Sequence, residues 1–221
     1  MAHLAESLNN RAVIATDATY LSESAHYKAL YPSAGGTDNQ KGHMLLSHFD
    51  LRKGIPLSAT VQTQSMGEMR VLKLACDSLA NPLNTRRAIH VVDRAYVDGA
   101  FWDKRLSKYS STVITPLKSI LIYSVTHDNP VPPTPMSDGV LSDQQAQFKF
   151  SNYPWRLIRF RAPNGELYEY ITNDLSLPAG VVAFLYHRRW DKEKYYDCFK
   201  NSLASTKAWG KRSTAIEQQK P

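Results

Sequence analysis

Cysteine is almost missing from this sequence: Cys76 and Cys198 are the two in 221 residues. They form no Cys-x-x-Cys pair, which argues against a disulfide framework and against a cysteine-ligated zinc site. The N-terminus lacks a secretory-type apolar segment, and no uninterrupted apolar run approaches the roughly 18 residues that a membrane span needs. A cytoplasmic protein with no membrane segment is the expectation. Internal repeats are lacking, and His43, His48 and His90 do not have metal-ligand spacing, so they read as structural histidines. Acids are in the minority, 20 against 27 Lys and Arg, and the net charge of +7 favours a polyanionic partner. Charge alone fits an ordinary basic protein equally well. With 43% hydrophobic and 21% charged residues, the composition suits a globular chain with an adequate core, as one domain or one domain with an inserted subdomain.

Ala2 to Leu8 reads as a short helix, and Ala12 to Asp17, short, apolar and β-branched, as a buried strand whose last residue is an acid. Ser33 to Asn39 is turn-rich. Gly42 to Asp50 and Ile55 to Gln62 make a hairpin across Arg52-Lys53-Gly54. Gly67 to Leu79 has helical spacing and is stopped by Asn81-Pro82. Ile89 to Asp93 is a second short apolar run ending in an acid, followed by a helix over Phe101 to Tyr109 and a strand over Ser111 to Leu117. This order fits an α/β sheet. Asp128 to Gln147, with Pro130, Pro132, Pro133 and Pro135, predicts an irregular loop. Trp155 to Arg161 and Glu166 to Thr172 form a hairpin around Pro163-Asn164-Gly165, and Pro178 opens a long helix through Leu203.

Asp17, Asp93 and Glu193 come together if the two acid-ended strands are neighbours. An oxygen-only ligand set suits Mg2+ or Mn2+, and two such ions activate an attacking oxygen and stabilise a leaving one. Acids drawn blindly from the chain would ordinarily be surface carboxylates. The last helix adds weight, because Tyr186, Arg189, Glu193 and Lys200 follow a Tyr-x2-Arg-x3-Glu-x6-Lys pattern that holds them within roughly 60° on one face. A carboxylate flanked by cations and a phenol is what DNA strand chemistry needs. A solvated face with Arg189 and Glu193 as an i,i+4 pair is the other reading. Leu185, Tyr196, Phe199 and Leu203 form the neighbouring apolar stripe.

Leu185 to Glu193, with Phe199-Lys200-Asn201 and Lys207-Ala208-Trp209, resembles the signature region of bacterial insertion-sequence transposases of the DDE superfamily, in the Tyr-Arg-Glu-Lys branch. Ile14 to Thr19 resembles the first-aspartate strand of that branch and Val91 to Asp98 its second. Ile171-Thr172-Asn173-Asp174 resembles the Thr-Asn stretch that precedes the signature helix. The resemblance implies an RNase H-like mixed sheet flanked by helices, with a β-rich insertion before the glutamate helix. It divides the chain into a first core part (1–118), the insertion (119–177), the signature helix (178–210) and a tail (211–221). It also implies two Mg2+ or Mn2+ ions held by Asp17, Asp93 and Glu193, and cut-and-paste recombination at terminal inverted repeats. Tyr186, Arg189 and Lys200 would grip transposon-end phosphates, and a homodimer would form in the synaptic complex with target DNA.

Relatives usually carry a longer region before the first aspartate and more helix after Lys207-Ala208-Trp209, so the expectation is a core truncated at both ends. A remnant that binds DNA without cutting and an RNase H-like repair nuclease are the competing functions. Trp155 reads either as a base-stacking aromatic, as in some relatives, or as core, with core preferred. Arg86, Arg87, Arg156, Arg159 and Arg161 read as DNA-backbone contacts or as ordinary surface cations.

Overall fold

The computed structural model describes residues 7–22, 42–62, 67–77 and 82–190. The strands are β1 (Val13–Ser22), β2 (Gly42–Asp50), β3 (Ile55–Gln62), β4 (Ile89–Val92), β5 (Thr112–Pro116), β6 (Tyr123–Asn129), β7 (Val140–Phe148), β8 (Trp155–Arg161) and β9 (Leu167–Thr172). The helices are α1 (Glu68–Asp77), α2 (Gly99–Tyr109) and α3 (Ala179–Arg188). All nine strands join one mixed sheet in the order β3-β2-β1-β4-β5-β9-β8-β7-β6. β1, β4 and β5 run parallel, and every other neighbouring pair is antiparallel.

The three parallel strands lie mid-sheet, and β4 and β5 are buried along their whole length, as continuous apolar runs require. Side chains of a strand alternate between faces, and the core divides accordingly. Val13, Ala15, Ile89 and Val91 pack with Val181, Val182 and Leu185 of α3. Ile14, Val92 and Val113 turn the other way, onto Val71 and Leu72 of α1 and Trp102 of α2. Among the described residues no helix is long and apolar enough to cross a membrane.

Two expectations are corrected. The strand expected to stop at Asp17 continues to Ser22, because β2 pairs with it through that whole length while β4 pairs only as far as Thr16. The loop expected over Asp128 to Gln147 is largely strand. Its prolines are confined to the connection between β6 and β7; β6 exposes most of its side chains, and β7 leaves most of its residues exposed or half-buried. Asp143 of β7 is buried and bound by Arg156 of β8, Nε to Oδ1 at 3.0 Å. The same guanidinium donates to the carbonyls of Asp174 and Leu177, at 3.1 and 2.5 Å, and so reaches the approach to α3. The turn Pro135–Ser137 packs under the start of α3, where a Cβ on Gly180 would fall 1.5 Å from the Met136 carbonyl oxygen. Glycine is therefore required there.

Asp143→Ala leaves a guanidinium buried without its carboxylate, and the expected loss is about 3–5 kcal/mol. Arg156→Met should cost at least as much, since two carbonyls also lose their donor. Urea unfolding with an unchanged m-value checks both.

Candidate functional site

Pairing between β1 and β4 ends at Thr16 opposite Val92, so Asp17 and Asp93 are each the next residue along two neighbouring parallel strands. Asp93 keeps extended backbone (φ −74°, ψ 167°) before a helical turn begins at Arg94. By alternation both acids share the parity of Val13, Ala15, Ile89 and Val91, the residues facing α3. Neighbouring strands are about 4.8 Å apart, a separation from which two carboxylates reach a common ion.

The end of α3 closes over this point. Arg189 Nη1 donates to Asp17 Oδ2 at 3.2 Å, with the arginine side chain 10% and the aspartate 21% exposed. Asp17 Oδ1 accepts the N–H of Ala18 at 3.0 Å, and Asp93 Oδ1 accepts that of Arg94 at 2.6 Å. Tyr186 lies one turn before Arg189, packed on Tyr170 with ring centroids 4.8 Å apart. Burial pushes its phenol above the ordinary value of 10, Arg189 works against that shift and Asp93 adds to it. The phenol is a neutral donor at neutral pH. Asp93, Arg94, Tyr168, Tyr170, Tyr186 and Arg189 line a cleft of about 350 Å³.

The structure thus brings Asp17, Asp93, Tyr186 and Arg189 to one place. Glu193 and Lys200 lie outside the described residues. No group of three or more His, Cys, Asp or Glu able to hold a metal occurs among the described residues. The two aspartates nevertheless fit a hard divalent ion by donor chemistry, because each oxygen has lone pairs beyond the one its N–H partner uses. Arg189 occupies one oxygen of Asp17, so an ion there would share or displace that contact.

Trp155 is fully buried against Phe148 and Phe150, which makes it core. His48 is buried beside Thr16, its Nδ1 2.9 Å from the hydroxyl, and His90 is buried against Trp102. Arg156 is internal, and Arg159 forms an exposed pair with Glu169 at 2.8 Å, worth little in stability.

The residues that hold the site in place include Asn173 and Asp174 of the Thr-Asn stretch, whose partners Arg11 and Thr112 carried no signal in the sequence. Asp174, 3% exposed, takes Arg11 Nη1 at 2.6 Å and the Thr112 hydroxyl at 3.0 Å on Oδ2. Its Oδ1 takes the N–H groups of Ser176 and Leu177 at 2.9 and 3.0 Å. Asn173 Oδ1 accepts from Val113 N–H at 2.8 Å. The start of β1, the edge of β5 and the entry to α3 are thereby fastened together.

No family model matches the chain, and no curated protein matches it. Among solved structures it is similar to the piggyBac transposase in a cryo-EM synaptic complex with hairpin DNA, with a TM-score of 0.52 and 8% sequence identity. The fold is transposase-like. The match covers 98% of this chain and 46% of the piggyBac chain, so this chain spans less than half the length of its neighbour. At that identity the likeness is one of fold.

Burial alone would raise the Asp174 carboxyl, but Arg11 and the Ser176 hydrogen bonds outweigh it and hold the group below its ordinary 3.8. A depressed carboxyl contributes stability above the unfolded value that is lost as pH falls through the folded one. Asp174→Asn should therefore cost about 3 kcal/mol at neutral pH. The gap from the parent should narrow as pH falls below about 3.8, as read from urea midpoints across that range.

Proposed function

We propose that this chain is the catalytic core of a DDE-type DNA transposase of the Tyr-Arg-Glu-Lys branch, hydrolysing phosphodiesters at transposon ends and joining the freed 3′ hydroxyl to target DNA. The carrying observation is the placement of Asp17 and Asp93 at the same level of adjacent parallel strands, on the face that α3 closes with Arg189. The transposase-like fold supports the reading, as does an order in which five strands with a parallel centre come first and four antiparallel strands extend the same sheet. We take that core to be RNase H-like and β6 to β9 to be the insertion.

In this reading Asp17, Asp93 and Glu193 hold two Mg2+ or Mn2+ ions. When bound, such ions supply an activated attacking oxygen and stabilise the leaving one. Tyr186 offers a neutral hydroxyl donor, and Arg189 a guanidinium matched to phosphate oxygens. Lys200 would add a further phosphate donor. The Arg189–Asp17 pair balances charge at the site until a phosphate competes for the arginine. DNA is the partner, with a homodimer forming on paired ends.

Purified Asp17→Asn, assayed on duplexes carrying the inverted repeats that flank its gene, should lose strand cleavage by about a hundredfold or more in Mg2+ or Mn2+. DNA affinity should be nearly unchanged, since phosphate contacts supply most of it. If the parent binds these duplexes and cuts none of them with either ion, a DNA-binding protein without nuclease activity replaces the reading. Cutting that persists in the mutant removes Asp17 from the chemistry.

A further inference from the structure

The sheet face opposite α3 carries a second cleft, of about 410 Å³, between α1 and α2. Lys73, Lys104, Arg105 and Lys108 contribute cations to its lining and Asp77 an acid. Lys73 is already paired, with Asp98 at 2.5 Å. Lys104 and Lys108 are exposed and stand one turn apart on α2.

Arg105 lies beside them and is only 4% exposed. Its Nη1 donates to Asn84 Oδ1 at 2.6 Å and its Nη2 to the Leu83 carbonyl, which fixes the guanidinium in place. Its Nε has no hydrogen-bond partner, and no carboxylate pairs with it, among the described residues. Burial lowers the guanidinium pKa from its ordinary value. Burial also pushes the neighbouring Cys76 thiol up to about 11, so it stays protonated and brings no counter-charge. The Tyr109 ring steadies the cluster, with the Arg105 guanidinium carbon 4.7 Å and Lys108 Nζ 4.9 Å from its centroid. A buried charge without a counter-ion is costly. An anion seated in the cleft above it would relieve that cost.

We propose that the cleft between α1 and α2 binds a phosphate group, with Lys104 and Lys108 as direct contacts and Arg105 as the fixed charge beneath them. Two exposed ammonium groups beside a fixed guanidinium outweigh the single acid lining the cleft and match a multiply charged oxyanion. The phosphate belongs to a DNA backbone or to a free phosphorylated molecule. The DNA source rests on the transposase reading and would place a second stretch of DNA across the face away from Asp17 and Asp93.

The test compares the full chain with the double variant Lys104→Gln, Lys108→Gln, and with a control, Lys53→Gln, Lys149→Gln, that removes equal charge elsewhere. Both lysines of the cleft are exposed, and thermal melts verify folding. Duplex DNA binding is followed by anisotropy over a salt series, and inorganic phosphate and pyrophosphate are titrated with NMR detection. For a DNA source, the slope of log affinity against log salt should shallow by about two units in the cleft variant and by less in the control. Unchanged DNA slopes with lysine-dependent phosphate binding assign the cleft to a free phosphorylated molecule. If the parent fails to bind duplex yet binds phosphate through these lysines, the transposase reading falls and the cleft stands. If the cleft variant matches the control with duplex and with phosphate, the proposal is overturned.

Discussion

The buried Asp174 carboxylate is the constraint on which the site depends. It neutralises Arg11, which enters β1, accepts from Thr112 at the start of β5, and caps the turn that launches α3. Elements far apart in sequence meet on one side chain. Arg11 makes further bonds to the Thr112 hydroxyl at 2.6 Å and the Arg87 carbonyl at 2.8 Å, so the lead into β4 is tied in too. The strands that carry Asp17 and Asp93, and the helix that carries Tyr186 and Arg189, are positioned through this one buried ionic network. Breaking it by removing a single partner leaves a charge in the interior, which is far worse than never having had the pair.

The two faces of the sheet are put to different uses by strand parity alone. Odd-numbered positions of β1 and β4 face α3 and lead to the two aspartates, while even-numbered positions hold the core beneath α1 and α2. A slip of one residue in either strand would send its acid to the wrong side. The long antiparallel pairing of β1 with β2 guards against this for Asp17, and complete burial on both faces does so for β4.

Much of this was legible in the sequence where local chemistry and tertiary context agree. The hairpin Gly42–Asp50 with Ile55–Gln62, the buried strand Ile89–Val92 and the hairpin arms near Pro163-Asn164-Gly165 follow from alternation and turn residues. Two acids ending short apolar runs, and Tyr186 and Arg189 one turn apart, could also be read directly. β6 and β7 were not legible, because β6, at the sheet edge, needs few apolar residues and Asp143 of β7 looks like a surface acid until Arg156 is placed beside it. The end of β1 was misjudged because an acid in a half-covered strand resembles a stop. Nothing in the single sequence pairs Arg11 with Asp174; the hub exists only once the chain is folded.

The seam between β5 and β9 sets an order on how the protein assembles. Ile114 pairs with Thr172 and Pro116 with Tyr170, joining strands separated by the whole run from β6 to β8. The intervening strands form successive hairpins of short range, whereas this closure is a late, entropically costly event. α3 follows β9 directly and packs against both β5 and β9. Among the described residues, the cleft beside Asp17 and Asp93 is therefore expected to form late, after the two strands that carry these aspartates have been made.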